Sequence, residues 1–400
     1  MSEYQYYEFR AVDRPLTTQE RAQLRALSTR AEITSTSLTN SYQWGDFRGE
    51  PADLIDRHFD AFVYFANWGS RQLMIRVPRR FLAVENVQPY CDEESLRARR
   101  SRDNVVIEFS SEDESGSDDD EYEDAYWMAS LIGLRDELIR GDYRALYLGW
   151  LASFRQLGWE DEEDIPEDED GGNALEPPVP PGLAELSAPL RTLAEFLRIE
   201  DELIQVAAEA SAPEPPPETT GADLARWVQQ LPVAKKDAIL VRFLTRPGSK
   251  LLRAELEQQF REATITPTGN HPVPNGQRTI RQLLAARTAL VRAKEEKAAQ
   301  RAARERASTE RKQAEARAKY LDGLIGREIA TWREVETLIA TKLPKNYDRA
   351  VALIKDLHDL AQRSGQTTEV LIRIQQVRQQ HGKKPSLIDR FDRQGLGKAT

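Results

Sequence analysis

The sequence predicts an α+β N-terminal domain, in which helices accompany a mainly antiparallel sheet, followed by an all-α region. Three observations support this. Short alternating or β-branched segments recur within the first 110 residues. Beyond residue 182, apolar residues recur every three or four positions without strand signals. Residues 293–319 consist only of Ala, Lys, Arg, Glu, Gln, Ser and Thr. With 400 residues, the chain is long enough for two to three domains.

The N-terminal segments alternate between strand and helix signals. Five segments are predicted as strands: Tyr4–Val12, Ile33–Thr39, Phe62–Ala66, Leu73–Val77 and Val105–Phe109. Asn67–Ser70 joins two of them in the clearest hairpin of the chain. Helices are predicted after Thr17 or Thr18 and near Asp53, where capping residues precede apolar residues at helical spacing. This order predicts a sheet with helices on one face.

Residues 1–159 are predicted as one domain because Tyr126–Trp159 reads as a pair of helices that packs on the sheet. Residues 111–124 are Ser-, Asp- and Glu-rich and are predicted to form a disordered insert. Residues 160–181 pass from an acidic run into Pro177–Pro181, which predicts a semi-rigid linker.

Three helical segments follow the linker. Residues 182–266 predict a helical bundle of short helices separated by prolines, and residues 278–320 a long, solvated, charged helix. This helix lacks the apolar seam of a stable coiled coil. Residues 321–400 predict amphipathic helix pairs that resemble a small helical-repeat array.

Composition narrows the function classes. The single cysteine, Cys91, excludes a disulfide framework, and the four scattered histidines leave little from which to build a metal site. Neither a membrane-length apolar run nor a signal peptide is evident, so a cytoplasmic protein is expected. The usual glycine-rich phosphate loops, zinc-protease and serine-hydrolase motifs are absent, and we expect no cofactor.

The net charge of −10 is distributed unevenly along the chain. Residues 111–185 carry 4 basic and 23 acidic residues, whereas residues 278–400 carry 27 basic and 15 acidic ones. An acidic middle and a basic C-terminal part predict electrostatic contacts, within the chain or with a partner.

Several segments resemble a family of uncharacterised bacterial proteins, over roughly residues 4–265. The similar segments are Tyr7–Leu16, Leu27–Thr34, Tyr42–Gly49 (YQWGDFRG), Phe59–Ala61 and Ala66–Gly69. This resemblance implies no activity and transfers no site. The tail, with His381–Leu387 and Gly395–Leu396, is similar to helical tails of several bacterial proteins, some of which carry SWIM-type zinc fingers. The chain has no zinc ligands of its own, so only the helical tail is implied.

Two loops are the best candidates for a binding site. In each, glycine follows tryptophan, so that a large flat ring can stand out on a tight turn. Trp44, Phe47, Trp68 and Arg71 are the predicted partner-binding residues, because tryptophan and arginine are common interface anchors. The alternative is that the rings pack back against the edge of the sheet.

The other candidate functional sites have simpler structural explanations. His58 with Asp56 and Asp60 could form an acid–base group, although a lone histidine on an apolar helix face is more often a hydrogen-bonded core residue. Acidic neighbours should raise the pKa of Cys91, which argues against an activated nucleophile. The acidic runs 112–124 and 160–170 lack the order of a calcium loop.

The function expected from the sequence is a non-catalytic bacterial scaffold or adaptor that binds one or more proteins. The first alternative is a nucleic-acid-associated accessory or regulatory factor, for example in a bacterial defence locus, using the basic C-terminal segment. Against this alternative, glutamates interrupt the basic helix Arg278–Lys319, and no aromatic residues are interleaved within it. The second alternative is a hydrolase whose carboxylates, including Asp46, meet only in the fold. The sequence does not specify the oligomeric state.

Overall fold

The computed structural model describes residues 4–45, 47–92, 94–113, 127–156, 174–213, 221–245, 252–253, 255–256, 259–260, 263 and 278–396. Most of the predicted acidic insert and the first part of the predicted linker lie outside these residues. The chain forms two compact units, residues 1–293 and 294–400, which are described separately.

The first unit contains an antiparallel sheet of seven strands. The strands are β1 (Gln5–Arg10), β2 (Glu32–Ile33), β3 (Ser37–Tyr42), β4 (Ala61–Ala66), β5 (Arg71–Pro78), β6 (Leu96–Ser101) and β7 (Asn104–Ser111). Their order across the sheet is β2-β3-β1-β4-β5-β7-β6. Each pair of neighbours is antiparallel, as the sequence predicts. The predicted β4–β5 hairpin is confirmed.

Both faces of the sheet are buried, which differs from the expectation of helices on one face only. Phe62 belongs to the core on one face and Val63 to the core on the other, and neither is exposed. The first core packs the sheet against helices α1 (Thr18–Leu27) and α2 (Pro51–Arg57). The predicted start of α1 is confirmed, because Thr17 and Glu20 form a capping box.

The second face carries a larger helical layer. Its helices are α3 (Val84–Val87), α4 (Trp127–Leu131), α5 (Gly133–Ile139), α6 (Arg144–Gln156), α7 (Ala188–Phe196) and α8 (Asp201–Glu209). Helices α9 (Gly221–Gln230) and α10 (Val233–Thr245) follow. The structure places residues from Leu183 to Ala207 in the same core as the sheet, together with Ile280 and Leu283. The first half of the predicted separate bundle is therefore part of the N-terminal core.

Strand β6 has no counterpart in the sequence prediction. Its sequence, LRARRS, lacks alternating apolar residues because β6 is an edge strand with arginines at three of its six positions. Charged side chains are a common protection of exposed sheet edges.

The long helix α11 (Ile280–Asp322) confirms the predicted charged helix. The second unit adds α12 (Glu328–Ala340), α13 (Pro344–Ser364), α14 (Thr367–Gln380) and α15 (Pro385–Arg393). Their core is formed by one apolar stripe per helix, including Trp332, Ile354, Ile374 and Phe391. Gly365, in the left-handed conformation with φ of 75°, ends α13.

Candidate interaction site

Both tryptophan loops emerge at the same end of the sheet. Gln5 of β1 pairs with Tyr42 on one side and with Ala66 on the other, so β3 and β4 finish level with each other. Tyr42 and Ala66 lie two strand spacings apart, which is about 10 Å. Strand β7 also finishes here, because Ser111 pairs with Arg71, the first residue of β5. We call the described residues of 43–50, 67–70 and 112–113 the tryptophan end.

Trp44 is held outward by the loop that follows β3. Its side chain is 72% exposed, and Gly45 beside it adopts a left-handed φ of 83°. The Gln5 side-chain amide donates to the Gly45 carbonyl at 3.4 Å. A Cβ at Gly49 would lie 2.7 Å from the ring of Phe47, so glycine lets the loop fold tightly over this buried ring. The loop is therefore fixed on both sides of the exposed indole.

Trp68 occupies the tip of the β4–β5 hairpin and is 41% exposed. Asn67 exchanges two hydrogen bonds with Tyr4: the Asn67 amide donates to the Tyr4 carbonyl at 3.0 Å, and the Tyr4 amide donates to Oδ1 of Asn67 at 2.9 Å. Gly69 has a φ of 105°, and a Cβ there would lie 2.0 Å from the Asp113 carbonyl oxygen. Only glycine fits this turn, so the backbone that presents Trp68 is closely constrained.

Phe47 is not available to a partner, which corrects the predicted set of anchors. It is 9% exposed, and its ring centroid lies 5.3 Å from that of Tyr7 and 5.9 Å from that of Phe9. The alternative considered from the sequence, an aromatic ring packed against the sheet, describes this residue. Phe47 and Trp44 thus have opposite roles within one loop.

Arg71 is also buried, at 5% exposure, and belongs to the fold rather than to the exposed surface. Its guanidinium donates to the carbonyls of Glu195 and Phe196 at 3.3 and 3.4 Å, at the C-terminus of α7. It also lies 5.4 Å from the ring centroid of Trp127. A cation suits the carbonyls at a helix C-terminus. No local sequence pattern indicates this role, because α7 lies more than a hundred residues further along the chain.

Carboxylates border Trp68. The Trp68 indole N–H donates to Oγ of Ser70 at 3.1 Å, and this hydroxyl donates to the exposed Glu112. Asp113 accepts from Arg155 at 2.7 Å, and Arg198 lies 3.9 Å away. The tryptophan end therefore offers flat apolar rings next to the exposed carboxylate of Glu112, which suits apolar or cationic side chains of a partner.

The three residues of the suggested acid–base group have separate partners. Asp56 pairs with Arg99 at 2.9 Å, and Nδ1 of His58 lies 3.4 Å from Glu20. Asp60 is buried and fully engaged: it accepts from the amides of residues 12 and 13 at 2.6 and 2.9 Å and from Arg76 at 2.7 Å. The structure thus pairs Asp56 and Asp60 with arginines and places His58 beside Glu20, and it does not join the three side chains in one group. Asp46, also considered for a hydrolase, lies outside the described residues.

Arginines determine the charge state of Asp60. Burial opposes ionisation, but Arg135 and Arg76 hold the pKa of Asp60 below its ordinary value. Arg135 is itself buried and donates to the Arg76 carbonyl and to Asp13, both at 2.8 Å. This network connects β1, β4 and β5 with α5.

The pKa of Cys91 is shifted in the direction expected from the sequence. Burial, and then the negative charge of Asp92, raise the pKa of its thiol.

No protein family model, curated protein or solved structure matches the chain. The resemblance to a bacterial family therefore stays a prediction. Within the described residues, no helix is both long enough and apolar enough to cross a bilayer.

Proposed function

We propose that the protein is a non-catalytic cytoplasmic adaptor or scaffold that binds a partner protein through the tryptophan end. The observation that supports this most directly is the exposure of Trp44 and Trp68 at one end of one sheet. Exposed indoles leave apolar area in contact with water, and a partner that covers them recovers the corresponding free energy. Tryptophan is also enriched among the residues that dominate binding energy.

The fixed backbone around the two rings strengthens the proposal. Phe47 anchors one loop in the core, and the Asn67–Tyr4 hydrogen bonds with the close packing at Gly69 hold the other. A surface that is already ordered loses less conformational entropy when it binds. Trp44 and Trp68 therefore act as preorganised anchors, with Glu112 as a charged neighbour.

The test is an affinity purification of the tagged full-length chain from its own host, in the presence of nuclease, with co-purifying proteins quantified by mass spectrometry. The double variant Trp44→Ala/Trp68→Ala is compared with the wild type. We expect at least one stoichiometric partner to be recovered by the wild type and reduced at least tenfold by the double variant, since two interface anchors cost more than 1 kcal/mol each.

Phe243→Ala is the matched control, because Phe243 is an aromatic residue on α10 that is 62% exposed but lies outside the tryptophan end. It should retain the partner. Equal recovery by the wild type and the tryptophan double variant, with both proteins folded by far-ultraviolet circular dichroism, would contradict the proposed function.

A further inference from the structure

We propose that one face of helix α11 binds the phosphate backbone of a double-stranded nucleic acid. This surface does not include the tryptophan end, and a different observation supports its proposed role. Every residue from 292 to 316 is exposed, so this part of α11 is covered by no other described part of the chain. A helix of this length presents a straight row of side chains over roughly 36 Å.

Basic residues are concentrated on one side of this exposed segment. With 3.6 residues per turn, seven of the ten lysines and arginines between residues 292 and 319 fall within an arc of about 100°. They are Lys294, Lys297, Arg301, Arg304, Arg311, Lys312 and Lys319. We call these seven residues the basic stripe. The glutamates at 295, 296 and 310 lie outside this arc.

At its C-terminal end, α11 packs through a different side. Arg317 donates to Asp359 at 2.6 Å and also pairs with Asp356. Tyr320 donates to Asp356 at 2.9 Å. Arg317 and Tyr320 lie outside the arc of the basic stripe and contact α13. At this end of α11, the helix face that meets α13 is therefore not the one that carries the stripe. At the other end of the helix, before the exposed segment, the buried Leu283 lies within the arc of the stripe.

Of the two remaining glutamates, Glu315 lies within this arc and Glu305 about 20° beyond its edge, and both are engaged in local pairs. Nε of Arg301 donates to Glu305 at 3.0 Å, and Nε of Arg311 donates to Glu315 at 2.9 Å. All four side chains are more than half exposed, so these pairs are weak and screened by salt. A phosphate can replace the glutamate as the partner of either arginine, and arginine binds phosphate through two parallel hydrogen bonds.

The composition of the stripe favours a duplex over a single strand. Residues 293–319 contain no aromatic side chain, whereas proteins that bind single strands stack bases on aromatic rings. A row of cations can neutralise several closely spaced phosphates of a duplex and needs no base contact. Binding through phosphates alone predicts little dependence on base sequence.

Fluorescence anisotropy with the full-length protein tests the proposal, using a 20-base-pair DNA duplex and a 20-nucleotide thymidine strand as probes. The duplex should bind more tightly, with an affinity that falls steeply as salt rises. Lys297→Gln/Arg304→Gln should weaken duplex binding about tenfold or more at 100 mM salt and reduce the salt slope by about 2, since each lost phosphate contact removes about 0.9.

A double variant on another side of the helix is the matched control. Arg292→Gln/Arg306→Gln removes the same charge from exposed positions outside the basic stripe. It should keep at least half of the wild-type affinity. Equal losses in both double variants, tighter binding of the single strand, or no duplex binding at 50 mM salt would each overturn the proposal. Because the probe is a nucleic acid, these outcomes are separate from the partner-capture test of the tryptophan end.

Discussion

Two substitutions in one loop, Trp44→Ala and Phe47→Ala, should affect stability very differently. Phe47 is 9% exposed and packs against Tyr7 and Phe9, so its truncation removes a buried ring and leaves a cavity. Substitutions of this kind lower the free energy of unfolding by about 3–5 kcal/mol. Trp44 is 72% exposed. Roughly 70 Å² of the ring is covered, which limits the loss to about 2 kcal/mol.

Urea unfolding followed by far-ultraviolet circular dichroism measures this difference. We expect the urea midpoint of the first unit to decrease more for Phe47→Ala than for Trp44→Ala, whose loss of unfolding free energy is at most about 2 kcal/mol. Similar losses of unfolding free energy in the two variants would refute the reasoning, because they would show that Trp44 is part of the core. A small loss for both would show that Phe47 does not fix the loop.

Two further predictions concern buried charges of the first unit. Arg71→Met should lower the free energy of unfolding, measured in urea, by about 1–3 kcal/mol, because the carbonyls of Glu195 and Phe196 lose a buried donor. An unchanged urea midpoint would contradict the role of Arg71 at the C-terminus of α7. The lowered pKa of Asp60 predicts a contribution to stability that is present above about pH 4 and is lost as the pH falls through the folded-state pKa. Urea midpoints from pH 7 to pH 3 should therefore fall less steeply for Asp60→Asn than for the wild type, and parallel curves would contradict this prediction.

Those helices and strands that have a clear local sequence pattern were predictable. Alternating aromatic residues identified β1, and the apolar runs flanking Asn67–Ser70 identified the β4–β5 hairpin. The composition of residues 293–319 predicted the long helix, since its residues form helices without tertiary support. Strand β6 was not predicted, because arginines occupy positions where a buried strand would have apolar residues. These arginines protect the exposed edge of the sheet.

The candidate site was predictable only in part, because burial depends on distant segments. Trp44 and Phe47 are three residues apart in a loop rich in glycine, and the sequence pattern does not distinguish the exposed ring from the buried one. Phe47 is buried because β1 supplies Tyr7 and Phe9. Arg71 is buried because the C-terminus of α7 lies beside β5. Such long-range contacts follow from the tertiary fold and not from local periodicity.

The exposed segment of α11 has a consequence for exchange and proteolysis. From residue 292 to 316, its backbone amides take part in helical hydrogen bonds, and no other described residue packs over them. Local opening there should need far less free energy than opening of the sheet, so these amides should exchange with deuterium early. The same segment holds a trypsin site every few residues. A brief digestion should therefore cut here first and separate two fragments that keep their own cores.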